Sequence, residues 1–226
     1  MNRVKKIIVI ICSIVLFGNA FGITSFASTQ NQEAELNGFD EQQFENLVDL
    51  VNELNRSIGD EQEVFDTLED IANDEIENRS VFDEIGDIWN ALTDSEKKLL
   101  IKYPFDALKV NTAKNIATTQ TNLKFGYNGL GDRSDAFRHG IWNAEMTILI
   151  GETKAELFAT AHEDKDTSGT EADGFSKEEH KIMDLHNNSI GRETGRNNAS
   201  LTEEEMAEII YRNIYSEASA FVWLHE

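Results

Sequence analysis

Cysteine and proline are almost missing from this sequence, with one of each in 226 residues. A lone Cys forms no internal disulfide, which excludes a cystine-stapled scaffold. Scarce Pro leaves long helices uninterrupted. Basic residues are also short, 20 Lys+Arg against 42 Asp+Glu, for a formal net charge of −22. That field has the wrong sign for nucleic acid or an anionic membrane surface, and it counts against nucleic acid as a partner. There is no HExxH, no GxSxG and no Walker loop, so the common signatures of zinc proteases, serine hydrolases and nucleotide-binding proteins are missing. What is present is a 40% apolar composition, too rich for wholesale disorder. The length suffices for one or two domains with a sizeable core.

The first residues read as an address. Arg3, Lys5 and Lys6 precede an apolar run from Ile7 to Phe17 that continues more weakly to Phe26, and Ser25-Phe26-Ala27 places small residues at −3 and −1 of a cleavage site. Basic head, apolar middle and small-residue exit describe a secretory signal over residues 1–27. The bland alternative is an uncleaved membrane anchor. Cys12 follows Val9-Ile10-Ile11 rather than small residues, so it belongs to the apolar part of the signal and not to a lipoprotein site. Cleavage removes three basic and no acidic residues, taking the charge from −22 to −25 and leaving a chain without Cys and without a membrane span. The expected location is secreted or cell-envelope associated in a bacterium, Gram-positive by the short signal and the Cys-free mature chain.

Charge then divides the chain. Residues 28–100 carry 21 acidic and 4 basic side chains, against 21 and 13 in residues 101–226. Phe44, Leu47, Val48, Val51, Leu54 and Ile58 follow the spacing of one helical face, and Val64, Phe65, Leu68, Ile71 and Ile76 begin a second stripe after Gly59. Residues 28–90 are therefore expected to be an acidic helical segment, and 91–226 a helical domain. Thr93-Asp-Ser-Glu96, Ser176-Lys-Glu-Glu179 and Thr202-Glu-Glu-Glu205 are capping boxes that open helices. Pro104 stops the first of these helices near Tyr103. Residues 104–133 show no clear period, and alternating Leu123, Phe125 and Tyr127 before Asn128-Gly129 suggest a short hairpin near 120–130. Ser134 is the expected N-cap of a helix buried through Ala136, Phe137, Ile141 and Met146. The next helix, Glu152–His162, is expected to face inward with Leu157, Phe158 and Ala161. The one opened by Ser176 is expected to run to about Gly191, and the one opened by Thr202 carries Met206, Ile209, Ile210, Ile214, Ala218 and Phe221. The fold class is all-α, a helical bundle.

Four of five His residues fall between 139 and 186. Asp135, His139 and Asn143 stand at i, i+4 and i+8 and share one face, where Asp135 acts as the orienter of the imidazole. His162 and Glu163 end the following helix. Met183-Asp184-Leu-His186-Asn187-Asn188-Ser-Ile-Gly191-Arg192 is the densest polar cluster, and two adjacent Asn in a helix interior are a local cost. His186 lies about 200° from Asp184 around the helix, which restricts how many of these groups reach one site. Gly191 either allows a close backbone approach or ends the helix. His139, His162 and Asp184 form the expected metal set, zinc first by its N and O donors and calcium second. His139, His162, Glu163 and His186 are the candidate catalytic groups. Arg138, Trp142, Asn143, Asn187, Asn188 and Arg192 are the candidate substrate contacts. The bland alternative is a buried polar network that orients helices. Asp164-Lys-Asp166-Thr-Ser168-Gly169 matches the first half of a calcium loop, but Phe175 stands where the bidentate Glu belongs, and a flexible acidic surface loop fits better.

The order LTDSEKKLLIKYP (Leu92–Pro104), DAFRHGIWNAEM (Asp135–Met146), AHE (Ala161–Glu163) and MDLHNNSIGR (Met183–Arg192) resembles an uncharacterised helical domain. That domain is found in bacterial exported proteins and at the C-termini of Rhs-type and other polymorphic toxins. The likeness covers about residues 90–196, and the acidic helices lie outside it. It implies recurrent polar residues at Asp135, Arg138, His139, Trp142, Asn143, His162, Glu163, Asp184, His186, Asn187, Asn188 and Arg192. It raises the expectation of an enzyme without naming a reaction. Three readings follow. The first is an exported metal-assisted hydrolase of an ester or phosphoester from a small-molecule, lipid or cell-envelope substrate. The second is a non-catalytic binding or structural module of the cell surface. The third is a toxin effector such as a nuclease.

Overall fold

The computed structural model describes residues 38–73 and 81–226. The signal reading, Cys12 and Ile76 lie outside them. Among the described residues the protein is all-α, with nine helices: α1 Glu41–Ile58, α2 Glu61–Asn73, α3 Val81–Ala91, α4 Asp94–Lys102, α5 Pro104–Phe125, α6 Arg133–Ile150, α7 Glu152–His162, α8 Lys177–Asn197 and α9 Glu203–Ile214. None of these is long and apolar enough to cross a membrane.

The helix ends follow local chemistry. Asp40 caps α1 by accepting from the Gln43 N–H, and Gly59 closes it at φ 78°. All three capping boxes form, at Thr93, Ser176 and Thr202. α5 begins on Pro104, and Gly126 ends it at φ 80°. The N-cap of α6 is Asp132, which accepts from the Ser134 and Asp135 backbone N–H groups, rather than Ser134. Ser134 is fully buried inside the helix, and its hydroxyl donates to Asp132.

α1 to α3 form an amphipathic layer. Phe44, Leu47, Val48, Val51 and Leu54 of α1 meet Val64 and Leu68 of α2 and Ile85, Ile88 and Trp89 of α3. Lys97 of α4 ties the layer down, 2.6 Å from Glu69 and 5.3 Å from the Trp89 ring.

α6 is the central helix, and every residue from Ser134 to Thr147 is buried. α5, α7, α8 and α9 surround it. Its neighbour α5 replaces the expected hairpin. α5 is buried through Ala107, Ala113 and Ala117 together with Asn111, Gln120 and Thr121, so no apolar stripe marks it, and the alternating Leu123 and Tyr127 are exposed. Leu157, expected to face inward, is also exposed. Ala218 and Phe221 fall beyond the end of α9, and Phe221 still packs into the core from the tail that follows.

α8 runs through Gly191 to Asn197 because that glycine serves contact rather than termination. A Cβ on Gly191 would lie 2.4 Å from the Gly140 carbonyl oxygen, and one on Gly195 2.5 Å from that of Ala144. This Gly-x-x-x-Gly edge lets α8 rest on the backbone of α6.

Candidate functional site

The close crossing brings two polar stripes of equal period face to face. Asp135, His139 and Asn143 of α6 stand opposite Asp184, Asn188 and Arg192 of α8, both sets at i, i+4, i+8. His139 meets Asp184 and Asn188, and Asn143 meets Asn188 and Arg192. Asp135, His139, Asn143 and Asn188 are each no more than 3% exposed.

The hydrogen bonds of this ladder have one consistent polarity. Arg192 only donates, so the Asn143 atom 3.0 Å from its Nη1 is the amide oxygen. The Asn143 Nδ2 then donates to the His139 carbonyl at 3.2 Å and to Asn188 Oδ1 at 2.6 Å. At the other end Glu163 accepts from Asn188 Nδ2 at 3.3 Å. Asn188 Oδ1 is an acceptor from both sides, so His139 Nδ1, 3.0 Å away, carries a proton and donates it. The neutral ring therefore has a bare Nε2.

That Nε2 faces carboxylate oxygens. Asp184 Oδ1 lies 3.3 Å from it and Asp135 Oδ1 3.5 Å. Asp135 is held on both sides: its Oδ2 accepts from the Gly131 N–H at 2.7 Å, and its Oδ1 pairs with the Arg138 guanidinium. Asp184 Oδ1 is buried without a hydrogen-bond partner. Burial, with Arg138 next in weight, holds the His139 imidazole well below its usual range despite the Asn188 contact. Burial, reinforced by the neighbouring Asp135 and Glu163, pushes the Asp184 carboxyl well above the carboxylate range. A lone pair and two carboxylate oxygens converge on one point that requires a positive species between them, a proton or a cation. Asp135, His139 and Asp184 each offer a ligand atom, all within 4.8 Å of one another. The expected metal set thus changes by one member: Asp135 enters as a ligand candidate, and His162 stands apart.

These groups form one wall of an open cavity of about 480 Å³. His162 and Glu163 line it as well, and Arg138 contributes a buried Nε that has no partner. His162 Nδ1 is 2.8 Å from Glu96 Oε1, an orientation that leaves its other nitrogen unclaimed by Glu96. Burial alone would raise Glu96, but His162, Lys114 and the Thr93 backbone N–H outweigh it and hold the carboxyl at about 2. The Trp142 ring separates the two imidazoles, edge-on to both, with centroids 6.3 Å from His139 and 5.0 Å from His162. Its indole N–H reaches the Val110 carbonyl, and Trp142, His162 and Lys165 also wall a second, apolar cavity of about 50 Å³ beside Phe39 and Phe44.

Two expected site residues do other work. Asn187 is fully buried and exchanges both hydrogen bonds with the Val222 backbone, at 2.9 and 3.0 Å. His186 is exposed, with its Nε2 2.8 Å from the Ala220 carbonyl. Both secure the C-terminal tail, on the side of α8 turned away from Asp184. Arg192 is half-buried behind Asn143 and orients the ladder. In the loop, Asp166 accepts from the Ser168 N–H and hydroxyl, the bonds of a turn.

One site residue was not singled out by the sequence. His180, 6% exposed, lines the cavity; Asp173 holds its Nε2 at 3.0 to 3.1 Å, and its Nδ1 has no partner. The signal that marks it is its position one turn before Asp184, on the same stripe of α8.

The family model described as a domain of unknown function, DUF6973, matches residues 97–218, and the chain belongs to that family. The matched span contains both polar stripes and leaves out α1 to α3. No curated protein and no solved structure matches the chain.

Proposed function

We propose that this member of the DUF6973 family is a metal-assisted hydrolase of an ester or phosphoester, with Asp135, His139 and Asp184 as its ligands. The observation that supports the reading is the bare His139 Nε2 facing two carboxylate oxygens at the wall of an open cavity. One nitrogen and two oxygen donors suit zinc; calcium, which takes six to eight oxygens, suits the set less well. A divalent ion supplies a Lewis acid for a carbonyl or phosphoryl oxygen and acidifies water. Asn188 and Asn143, fixed by Arg192 and Glu163, keep the His139 proton on Nδ1 and its lone pair on the ligand side. Glu163 takes a proton from the attacking water and returns it to the leaving oxygen. Export rests on the basic, apolar and small-residue succession of residues 1–27.

Zinc titration of the stripped protein tests this. One equivalent is expected to bind, and His139→Ala and Asp184→Asn should each weaken binding by about 100-fold or more, the scale of losing a ligand or its orienting partner. Hydrolysis of p-nitrophenyl butyrate or p-nitrophenyl phosphate should fall in parallel. Unchanged zinc affinity in both variants overturns the reading.

A second reading, a non-catalytic module, draws on Asp135, whose two oxygens are already engaged by Gly131 and Arg138. It predicts that the same variants lose several kcal/mol of stability as a buried network is broken. It also predicts that no metal binds.

A further inference from the structure

The cavity has a charge pattern unlike that of the protein around it. The chain as a whole carries two acidic groups for each basic one, whereas the cavity lining is near balance: Arg138, Lys165, Lys177 and Lys181 stand against Asp166 and Glu171, besides the proposed ligands Asp135 and Asp184 and the proposed base Glu163. Lys177 and Lys181 stand one turn apart at the start of α8, so they project from the same face. The charge of Lys177 also acts on Asp166, which lines the same cavity. Lys165 follows His162 on the adjoining loop, and its charge acts on both His139 and Asp184. Arg138 is the innermost cation. It is 5% exposed, pairs with Asp135 through one end of its guanidinium, and has no partner for its Nε.

A neutral carboxylic ester has no use for four cations around its site. A phosphoryl group does: its non-bridging oxygens are charged and are met best by ammonium and guanidinium donors. The volume, about 480 Å³, suits a small molecule rather than a polymer strand. The overall charge of −22 repels a nucleic-acid backbone from the rest of the surface.

We infer that the cavity takes a small phosphoester, its phosphoryl oxygens held by Lys177, Lys181 and Arg138 with Lys165 at the rim. This rests on the metal-centre reading above and narrows its substrate class. In the hydrolysis the water oxygen bonds to phosphorus and one ester P–O bond breaks. The electron pair of that bond stays with the leaving oxygen, which receives the proton that Glu163 removed from the water.

The test uses the zinc-loaded protein and inorganic phosphate, the product when the substrate is a phosphomonoester and the simplest carrier of the phosphoryl oxygens, in a calorimetric titration. Phosphate is expected to bind the zinc-loaded protein. The double variant Lys177→Ala/Lys181→Ala should weaken it by about tenfold or more, as expected for two charge-assisted contacts, while zinc stoichiometry and melting temperature stay unchanged. A single Lys181→Glu variant should weaken phosphate at least as much by repulsion. If zinc binds but phosphate does not, or if phosphate binds the double variant as tightly as the parent protein, the phosphoester inference falls and the metal centre stands. If zinc itself does not bind, both fall.

Discussion

α1 to α3 and the crossing of α6 with α8 are held together by opposite means. The first three helices are amphipathic, apolar on one side and acidic on the other, and they cohere through large side chains such as Leu47, Leu54 and Trp89. The crossing has little of this. It coheres through glycine contact with backbone and through a buried ladder of Asp, His, Asn and Arg. The difference separates a layer that has only to cover from a seam that has to hold polar groups in one orientation. Covering tolerates change of detail; orientation does not.

The largest effect that would break this comparison is expected at Gly191. Gly191→Ala forces a methyl to within 2.4 Å of a backbone oxygen that cannot rotate away. It should cost about 3 kcal/mol or more, an overpacked contact at its upper range, read as a lowered denaturant midpoint. Gly59→Ala is the control in the first layer. Nothing lies within 4 Å of the added carbon, and only the positive φ of 78° is strained, for about 1 kcal/mol.

A second effect lies where the two regions join. Glu96 in α4 holds His162 in α7, and its carboxyl is held at about 2, well below the ordinary 4.5 of a free glutamate. A depressed carboxyl stabilises the fold fully above the unfolded value and loses that contribution as pH falls from about 4.5 through 2. Glu96→Gln should therefore lower stability by about 2 kcal/mol at pH 7, and the gap to the parent protein should close in urea melts taken towards pH 2. A gap that persists at pH 2 would mean that shape, not charge, joins the regions.

Glu145 sharpens the contrast from inside α6. It is 5% exposed, its Oε1 has no partner, and burial together with Glu203 and Glu204 pushes its carboxyl up to about 7. A raised carboxyl costs stability as pH climbs from about 4.5 to 7 and beyond. Glu145→Gln should gain about 1 to 2 kcal/mol at pH 8, allowing for partial solvent access, and nothing near pH 4. Thermal melts at the two pH values decide it. The smallest effect belongs to the covering layer. Asp40→Ala removes the α1 cap and should cost about 1 kcal/mol, with zinc binding at the seam untouched.

The same contrast explains what could be read before the structure. Phe44, Leu47, Val48, Val51 and Leu54 announced α1 because an amphipathic surface writes its period into the sequence. α5 did not, because a helix buried by alanines, Asn111, Gln120 and Thr121 has no apolar stripe to show. The His139 face of α6 was visible from its i, i+4, i+8 spacing. Its partner stripe on α8 was harder to isolate from a run in which Asp184, His186, Asn187 and Asn188 stand almost side by side. Which of them turn to the cavity depends on where the chain returns after α9. Asn187 bonds a strand of backbone 35 residues away, and no local pattern encodes that.

That returning segment reaches further than its length suggests. The Leu224 and His225 N–H groups donate to the Gly131 carbonyl at 2.7 and 3.3 Å, while the Gly131 N–H holds Asp135. One residue, Gly131, thus links residues 224 and 225 to a proposed ligand carboxylate. A purification tag fused after Glu226 would pull on this connection, so recombinant protein meant for metal or turnover assays is better tagged ahead of α1.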